Sequence, residues 1–323
     1  MKKTILMMAA MIGMTSCGSC NTNGTDSGSN EAGGEQVSKV YFTREITPES
    51  LMEIYKALGR EAHGKVGIKL SMGEPGGHNY LKPELVGDFV RALNGTFIDA
   101  NTAYGGNRAT TELHLKAAED HGFTAIAPID ILDSEGEISL PVNGGIRLKE
   151  DLVGSHFADY DFIVNLSHFK GHAMGGFGGA LKNMSIGIAS SRGKVLIHSA
   201  GESTESWGNP EQDHFLESMA EAAKAVADYC GDNIIYISVM NNLSVDCDCD
   251  SNPADPEMGD IGILASLDPV ALDKACVDQV YASEDHGKIH LVERMESRNG
   301  IHTVVHAEKI GMGSQQYELI SLD

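Results

Sequence analysis

The chain is 323 residues long, 41% hydrophobic and carries 37 glycines, enough to build two average domains or one large α/β unit with a sizeable core. Its 24 Lys and Arg stand against 46 Asp and Glu, a formal net charge of −22 spread along the chain. That balance excludes general attraction to nucleic acid or to an anionic membrane surface. It leaves a small-molecule acid, a metal ion or a protein such as a redox partner as the expected ligand.

Residues 1–20, MKKTILMMAAMIGMTSCGSC, read as an export signal: two lysines, an apolar run from Ile5 to Met14 too short to span a bilayer, then small residues. Met14-Thr15-Ser16-Cys17 resembles a relaxed lipoprotein cleavage site, which makes Cys17 the lipidated first residue of a protein held at the cell envelope, in contact with the membrane through that anchor only. The alternative is ordinary signal-peptide cleavage with Cys17 lost. Gly18 to Gln36 is rich in Gly, Ser, Asn and Thr without apolar periodicity, as a flexible tether would be. The folded part is expected from Val37 to Asp323, as one unit or as two α/β lobes dividing near residues 150–160.

Strands and helices alternate from there. Val66–Leu70 reads as a buried strand, and Pro83–Leu93 as a helix with Pro in its first turn and a stop at Asn94-Gly95. Thr96–Ala100 is a strand, Thr110–His121 a helix closed by Gly122, and Thr124–Ile131 a strand again. Glu137–Val142 and Gly145–Lys149 suggest a hairpin across Asn143-Gly144. Asp161–Leu166 is a strong strand, and Pro210–Cys230, with Asn209 as its cap, the longest helix. Ile234–Met240 and Ile261–Ala265 are strands, Pro269–Tyr281 and a tail to Lys309 are helical, and Tyr317–Leu322 is an edge strand. The fold class is α/β, a mostly parallel sheet with flanking helices around a cleft.

In such sheets ligands gather beyond the carboxyl ends of the strands. Four polar, glycine-rich loops follow predicted strands: Ser71–His78, Asn101–Arg108, the segment from Ser167 to His198, and Asn241–Asp250. If all leave on one side, His78, Arg108, His168, Lys170, His172 and Lys182 share a pocket. In the third loop Gly175, Gly176, Gly178 and Gly179 precede a helix, where free N–H groups and the helix dipole suit an anion. His168 and His172 flank Lys170 directly after a strand, a setting for proton transfer or metal ligation. Asp246-Cys247-Asp248-Cys249-Asp250 combines thiols and carboxylates that suit a divalent metal, with a solvated acidic turn as the alternative.

Of six cysteines, Cys230 and Cys276 fall in predicted helices as buried free thiols, and Cys247 and Cys249 read as too close for an easy mutual disulfide. No Cys-x-x-Cys-x-x-Cys run occurs, so a ferredoxin-type iron–sulfur cluster is not expected within the chain.

Phe162–Lys194 (FIVNLSHFKGHAMGGFGGALKNMSIGIASSRGK), with Cys247-Asp248-Cys249 and Ile261–Asp273 (IGILASLDPVALD), resembles the domain of unknown function 362 family, often labelled uncharacterised iron–sulfur centre proteins. Many members add a ferredoxin-like segment that this chain lacks. His172, Gly176, Phe177, Gly179, Lys182 and His198 are also similar to the central motif of nickel-dependent lactate racemases. That resemblance implies Lys182 as the anchor of a nickel-pincer nucleotide, His198 as a metal ligand and His172 as the acid/base. Ala180-Leu181 stand where that motif has a glycine pair, and His78 is the one candidate for its second catalytic histidine.

The expected function is therefore an exported, lipid-anchored protein with a metal- or anion-binding pocket. Racemase-like, epimerase-like or redox chemistry on a small acid would use His172 for proton exchange and Lys170 or Arg108 to hold the carboxylate. The alternative is a non-catalytic metal-binding or electron-transfer-associated envelope lipoprotein, with its metal at Cys247 and Cys249.

Overall fold

Short apolar runs rich in Ile and Val, bounded by Gly, Pro or Asn, form strands buried on both faces, as in Ile234–Met240, where every residue is buried. The computed structural model describes residues 37–323; the export signal, Cys17 and the tether lie outside the described residues. In chain order the strands are β1 (Ser38–Thr43), β2 (Val66–Lys69), β3 (Thr96–Asp99), β4 (Ile129–Ile131), β5 (Glu137–Pro141), β6 (Glu150–Gly154), β7 (Phe162–His168), β8 (Lys170–His172), β9 (Gly176–Gly178), β10 (Ile234–Met240), β11 (Gly262–Ser266) and β12 (Tyr317–Ser321). The α-helices are α1 (Pro48–Ala57), α2 (Pro83–Ala92), α3 (Thr111–Asp120), α4 (Ala180–Ser185), α5 (Ser191–His198), α6 (Gln212–Cys230), α7 (Pro269–Ala282), α8 (Ile289–Ser297) and α9 (His302–Lys309). Among the described residues no helix is long and apolar enough to cross a membrane.

Eight strands form one sheet in the order β12-β1-β11-β10-β7-β2-β3-β4. Only β11 runs against the others, pairing antiparallel with both β10 and β1. This is the mostly parallel α/β sheet that the alternation of elements predicts. Strands from before and after residues 150–160 share it, and Val37–Asp323 is one compact unit rather than two lobes.

Side chains of a strand alternate between the two faces, so each strand feeds two cores. Ile235, Ile237 and Val239 pack with Leu51, Ile54 and Phe89 from α1 and α2. Ile234, Tyr236 and Met240 pack with Phe215, Met219 and Leu272 from α6 and α7 on the other side.

The structure revises several boundaries. The first strand and helix, β1 and α1, precede the predicted elements; α1 is fixed by a capping box in which Thr47 accepts from the Ser50 N–H and Ser50 from the Thr47 N–H, with Pro48 in the first turn. The strand expected from Thr124 shrinks to β4, because Phe123–Ala125 turns as a 3-10 helix and Pro128 supplies no donor. The predicted hairpin is also replaced: β5 pairs with β6, from Glu137 opposite Gly154 to Pro141 opposite Glu150. The reason lies in α6, where the Glu221 carboxylate accepts the N–H groups of Ile146, Arg147 and Leu148 and removes them from strand pairing. Finally, α6 starts at Gln212 after Glu211, so Asn209 is not its cap.

Candidate functional site

Because β2, β3, β7 and β10 are parallel, the loops that follow them leave from the same edge of the sheet. Chain order runs from β2 outward through β3 to β4, then returns to the other side of β2 with β7 and β10. The switch point between β2 and β7 opens a crevice, the usual ligand position in such sheets. A cavity of about 350 Å³ lies there, with Lys69, Arg108, Lys170, Lys182 and Lys194 on its polar wall and Tyr104, Met174, Ile186 and Trp207 on its apolar one. A wider recess of about 420 Å³, rimmed by Glu74, Asp246 and Asp250, shares Tyr104, His172, Cys247 and Cys249 with it. The Cys pair and His172 thus stand between a basic interior and an acidic mouth.

Three carboxylates tie the loops together. Lys69 Nζ lies 3.2 Å from Asp99 Oδ1 and 3.0 Å from Asn183 Oδ1. Arg108 donates through Nε to Glu74 at 2.8 Å and through Nη2 to the Tyr104 hydroxyl at 3.0 Å, and lies 3.6 Å from Asp99. Asp248 accepts from His168 Nδ1 at 2.9 Å and Lys170 Nζ at 2.7 Å, while its backbone carbonyl accepts the Glu74 N–H at 2.8 Å. Burial alone would push the Asp99 and Asp248 carboxyls up; Lys69 beside Asp99, and the His168 ring N–H with Lys170 beside Asp248, reverse this and hold both well below the usual carboxylate range.

Five cations face three carboxylates, so two remain. Among the described residues neither Lys182 nor Lys194 has a carboxylate in ion-pair contact: Lys182 Nζ comes nearest to Cys247 Sγ at 4.0 Å, and Lys194 Nζ donates to the Ala189 carbonyl at 2.6 Å. Burial, with Lys170 nearby, lowers Lys182 to about 7, and burial lowers Lys194 to about 8. Asp151, near Lys194, does not restore balance, because burial raises its carboxyl to about 8 and leaves it neutral at pH 7.

The histidines differ by tautomer. His172 Nδ1 accepts the N–H groups of Gly175 at 2.8 Å and Met174 at 3.3 Å, so the ring proton sits on Nε2. Burial, reinforced by the charge of Lys182, keeps this ring neutral. His198 is the converse: Nδ1 donates to the Lys194 carbonyl at 2.6 Å, leaving a lone pair on Nε2, and burial lowers the ring to about 4. Its ring packs between Trp207 and Phe215, with centroids 4.3 and 5.0 Å away. One imidazole presents a donor to the cavity and the other an acceptor.

Two predicted pocket residues are placed elsewhere. His168 directs both ring nitrogens to oxygen acceptors, Asp248 and the Asn241 carbonyl at 2.6 Å, and braces the wall without lining it. His78 is exposed and meets Asp255 at 2.9 Å outside the cavity. Lys69, Asp99, Lys194 and Trp207 were not anticipated. The first two had a legible signal, a charged residue at the carboxyl end of an otherwise apolar strand.

The glycine cradle expected for an anion is also corrected. Gly175, Gly176, Gly178 and Gly179 line neither recess; Gly176–Gly178 form β9, paired with β8. The N–H groups of Ala180 and Leu181 at the start of α4 already donate to the Asp273 carboxylate, at 2.7 and 2.9 Å. A Cβ at Gly179 would stand 2.3 Å from Asp273 Oδ1, which is why that position is glycine. Similarly, a Cβ at Gly187 would stand 2.5 Å from Lys69 Nζ.

Cys247 and Cys249 are joined as a disulfide with their Cα atoms 5.1 Å apart, a separation ordinary for bridged cysteines, so the expectation that they are too close to pair is corrected. Cys230 and Cys276 are free thiols. Ligand atoms of His172, Cys247 and Cys249 lie within 4.8 Å of one another; His198 is not part of this cluster.

A mostly parallel α/β sheet with a charged cavity at its switch point places the fold in the doubly wound class. The family described as domain of unknown function 362 matches residues 66–278, and the chain belongs to that family. No curated protein matches the chain. Two solved structures are similar to it at low identity. One is the lactate racemase apoprotein from Thermoanaerobacterium thermosaccharolyticum, with 14% identity over 75% of this chain and 57% of that one and a TM-score of 0.44. The other is a structural-genomics target from Thermotoga maritima, with 16% identity over 74% of this chain and 59% of that one and a TM-score of 0.42. The chain thus spans less than two thirds of either.

Proposed function

We propose that the cavity binds a small hydroxy or oxo acid and exchanges a proton with it, in a racemase-like, epimerase-like or redox conversion. The observation that carries this reading is the pair of ammonium groups, Lys182 and Lys194, left without carboxylate partners in a protein of net charge −22. A buried cation without a counterion is costly and is relieved by an anionic ligand. Arg108 and Lys170, the sequence's candidates for holding the carboxylate, are already engaged by Glu74 and Asp248, so the role passes to the two lysines.

His172 Nε2–H donates to the oxygen that gains charge, and His198 Nε2 accepts the proton; both rings are neutral at pH 7 and differ in tautomer, as an acid–base pair requires. The motif resemblance implies a nickel-pincer nucleotide as the group such a cavity would take. The residues fit such a group at two points: Lys182 would hold it through its unpaired amine, and His198 would ligate its metal through Nε2; with the group bound, Lys194 alone would hold the carboxylate and His172 would be the remaining acid/base. Bound, it would supply a hydride acceptor.

Incubation of the protein with 2-hydroxy acids in deuterated water, followed by proton NMR, tests the reading. The expected result is loss of the Cα proton signal, slowed about 10²- to 10⁴-fold in His198→Ala or His172→Ala. No exchange with any acid in the panel, together with no interconversion of its enantiomers and no oxidation to the oxo acid when nickel is added, would overturn it.

A second reading, a divalent metal at Cys247, Cys249 and His172, is favoured by their clustering within 4.8 Å. It requires the reduced pair, since a disulfide offers no thiolate, and a His172 ring that gives up the Met174 and Gly175 N–H groups to free its Nδ1 lone pair. Elemental analysis of reduced protein purified without chelators is expected to find metal at about one equivalent under this reading. Loss of that metal in Cys247→Ser with Cys249→Ser, but not in His198→Ala, would separate it from a His198 site. Export and lipidation at Cys17 are part of the proposal, supported by the pattern of residues 1–17. Metabolic labelling with a fatty-acid analogue, lost in Cys17→Ala, is the expected result.

A further inference from the structure

We propose that Cys247 and Cys249 form a reversible dithiol–disulfide couple that exchanges with small thiols bearing a carboxylate. This rests on the acid-binding reading of the inner cavity.

The two sulfurs are not equivalent. Cys249 is partly exposed, whereas Cys247 is 6% exposed. Cys247 Sγ accepts the Cys249 N–H at 3.2 Å and lies 4.0 Å from Lys182 Nζ, two interactions that favour negative charge on it. The carboxylates around the pair do not cancel Lys182: Asp248 is held by His168 and Lys170, and Asp246 lies 3.4 Å from Arg294. Access therefore selects Cys249 as the sulfur attacked, and charge selects Cys247 as the one that leaves.

Both cysteines line the inner cavity as well as the outer recess. A thiol that enters from the acidic mouth can place its sulfur at Cys249 while its carboxylate reaches toward Lys182 and Lys194. In the first step a thiolate forms a bond to Cys249 Sγ, the S–S bond breaks, and its electron pair goes to Cys247 Sγ. In the second, another thiolate attacks the small-molecule sulfur of the mixed disulfide, and Cys249 leaves as a thiolate. Two thiols are oxidised to one small disulfide, one protein disulfide is reduced, and the two protons lost by the thiols are taken up by the protein thiolates.

The test equilibrates the full chain with reduced and oxidised 3-mercaptopropionate, and separately with neutral 2-mercaptoethanol, with alkylation at Cys247 and Cys249 located by peptide mass. The pair is expected to interconvert in both buffers. Exchange with mercaptopropionate is expected to be faster by about tenfold at equal thiolate concentration, as one charge-assisted contact gives. That preference disappears in Lys182→Met, and Cys247→Ser accumulates a mixed disulfide at Cys249. Thiols that stay fully alkylated, or fully protected, in every mixture overturn the proposal, as does equal reactivity toward the two thiols. Lactate added as a competitor distinguishes the failures: an inert pair in a protein that binds lactate sinks the couple alone, and unselective exchange that lactate does not slow sinks the acid-binding reading with it.

Discussion

Asp248→Ala is expected to destabilise the fold by about 3–5 kcal/mol, the range for removing one partner of a buried ion pair. The carboxylate is 4% exposed and receives both His168 Nδ1 and Lys170 Nζ. Without it, Lys170 remains buried beside Lys69 and Lys182 with no counter-charge, and His168 Nδ1 loses its acceptor. The loop from Asn241 to Asp250 then loses its anchor to β7 and β8. Denaturant titration is the measurement, with a lower midpoint and an unchanged slope as the expected outcome. Adding Lys170→Met should recover part of the loss, because it removes one of the stranded charges. The pH dependence has a definite sign. Asp248 titrates below its unfolded value, so its stabilisation is fully present above about pH 4 and is lost as pH falls toward its depressed folded value. The variant should lack that acid-limb loss. A cost below about 1 kcal/mol would mean that the pair is hydrated as a surface pair is, and would contradict the buried network.

Lys182→Met should act in the opposite direction on stability and weaken ligand binding. The wild-type ammonium is partly buried without a carboxylate partner and titrates at about 7. Below pH 7 it is charged in both the folded and unfolded states, so the full burial cost is present. Between pH 7 and its ordinary unfolded value the unfolded chain binds the extra proton, and wild-type stability rises with pH. At pH 6 methionine should therefore stabilise the ligand-free protein by an amount on the order of 2 kcal/mol, and the advantage should shrink by pH 9. Affinity for a small acid at pH 6 should fall about 100-fold, the effect of losing a charge-assisted contact in a desolvated cavity. A residue whose removal strengthens the fold and weakens binding is retained for its ligand. Loss of stability in Lys182→Met at pH 6 would assign the lysine a structural role instead.

Much of the frame is legible in the sequence because it is written locally. The runs VGIKL, TFIDA, DFIVNL and IIYISVM carry the strand signal in consecutive residues, and each is followed by a polar loop. Parallel pairing then brings those loops to one edge. His172, Lys170, Lys182, Arg108, His198, Cys247 and Cys249 all line the cavity there.

What the sequence hides is set by long-range partners. The glycine pairs around Phe177 suggest an open anion cradle, but the acceptor that fills it is the Asp273 side chain, 93 residues away in α7. The hairpin register follows from Glu221, 73 to 75 residues beyond the loop it holds. The surplus of cations appears only after Glu74, Asp99 and Asp248 have been matched to Arg108, Lys69 and Lys170. The tautomers of His172 and His198 depend on backbone N–H and C=O groups that no side-chain pattern reveals.

The most direct test of the central claim is calorimetric titration of lactate and pyruvate into the protein at about pH 6 and about pH 9. Lys182 and Lys194, titrating at about 7 and about 8, predict saturable binding at the lower pH with proton uptake in the interval where they titrate, weakened by about tenfold or more at the higher pH as both ammoniums lose their charge. Absence of binding at both values, or an affinity indifferent to pH and to Lys182→Met, would contradict a cavity built to receive an acid.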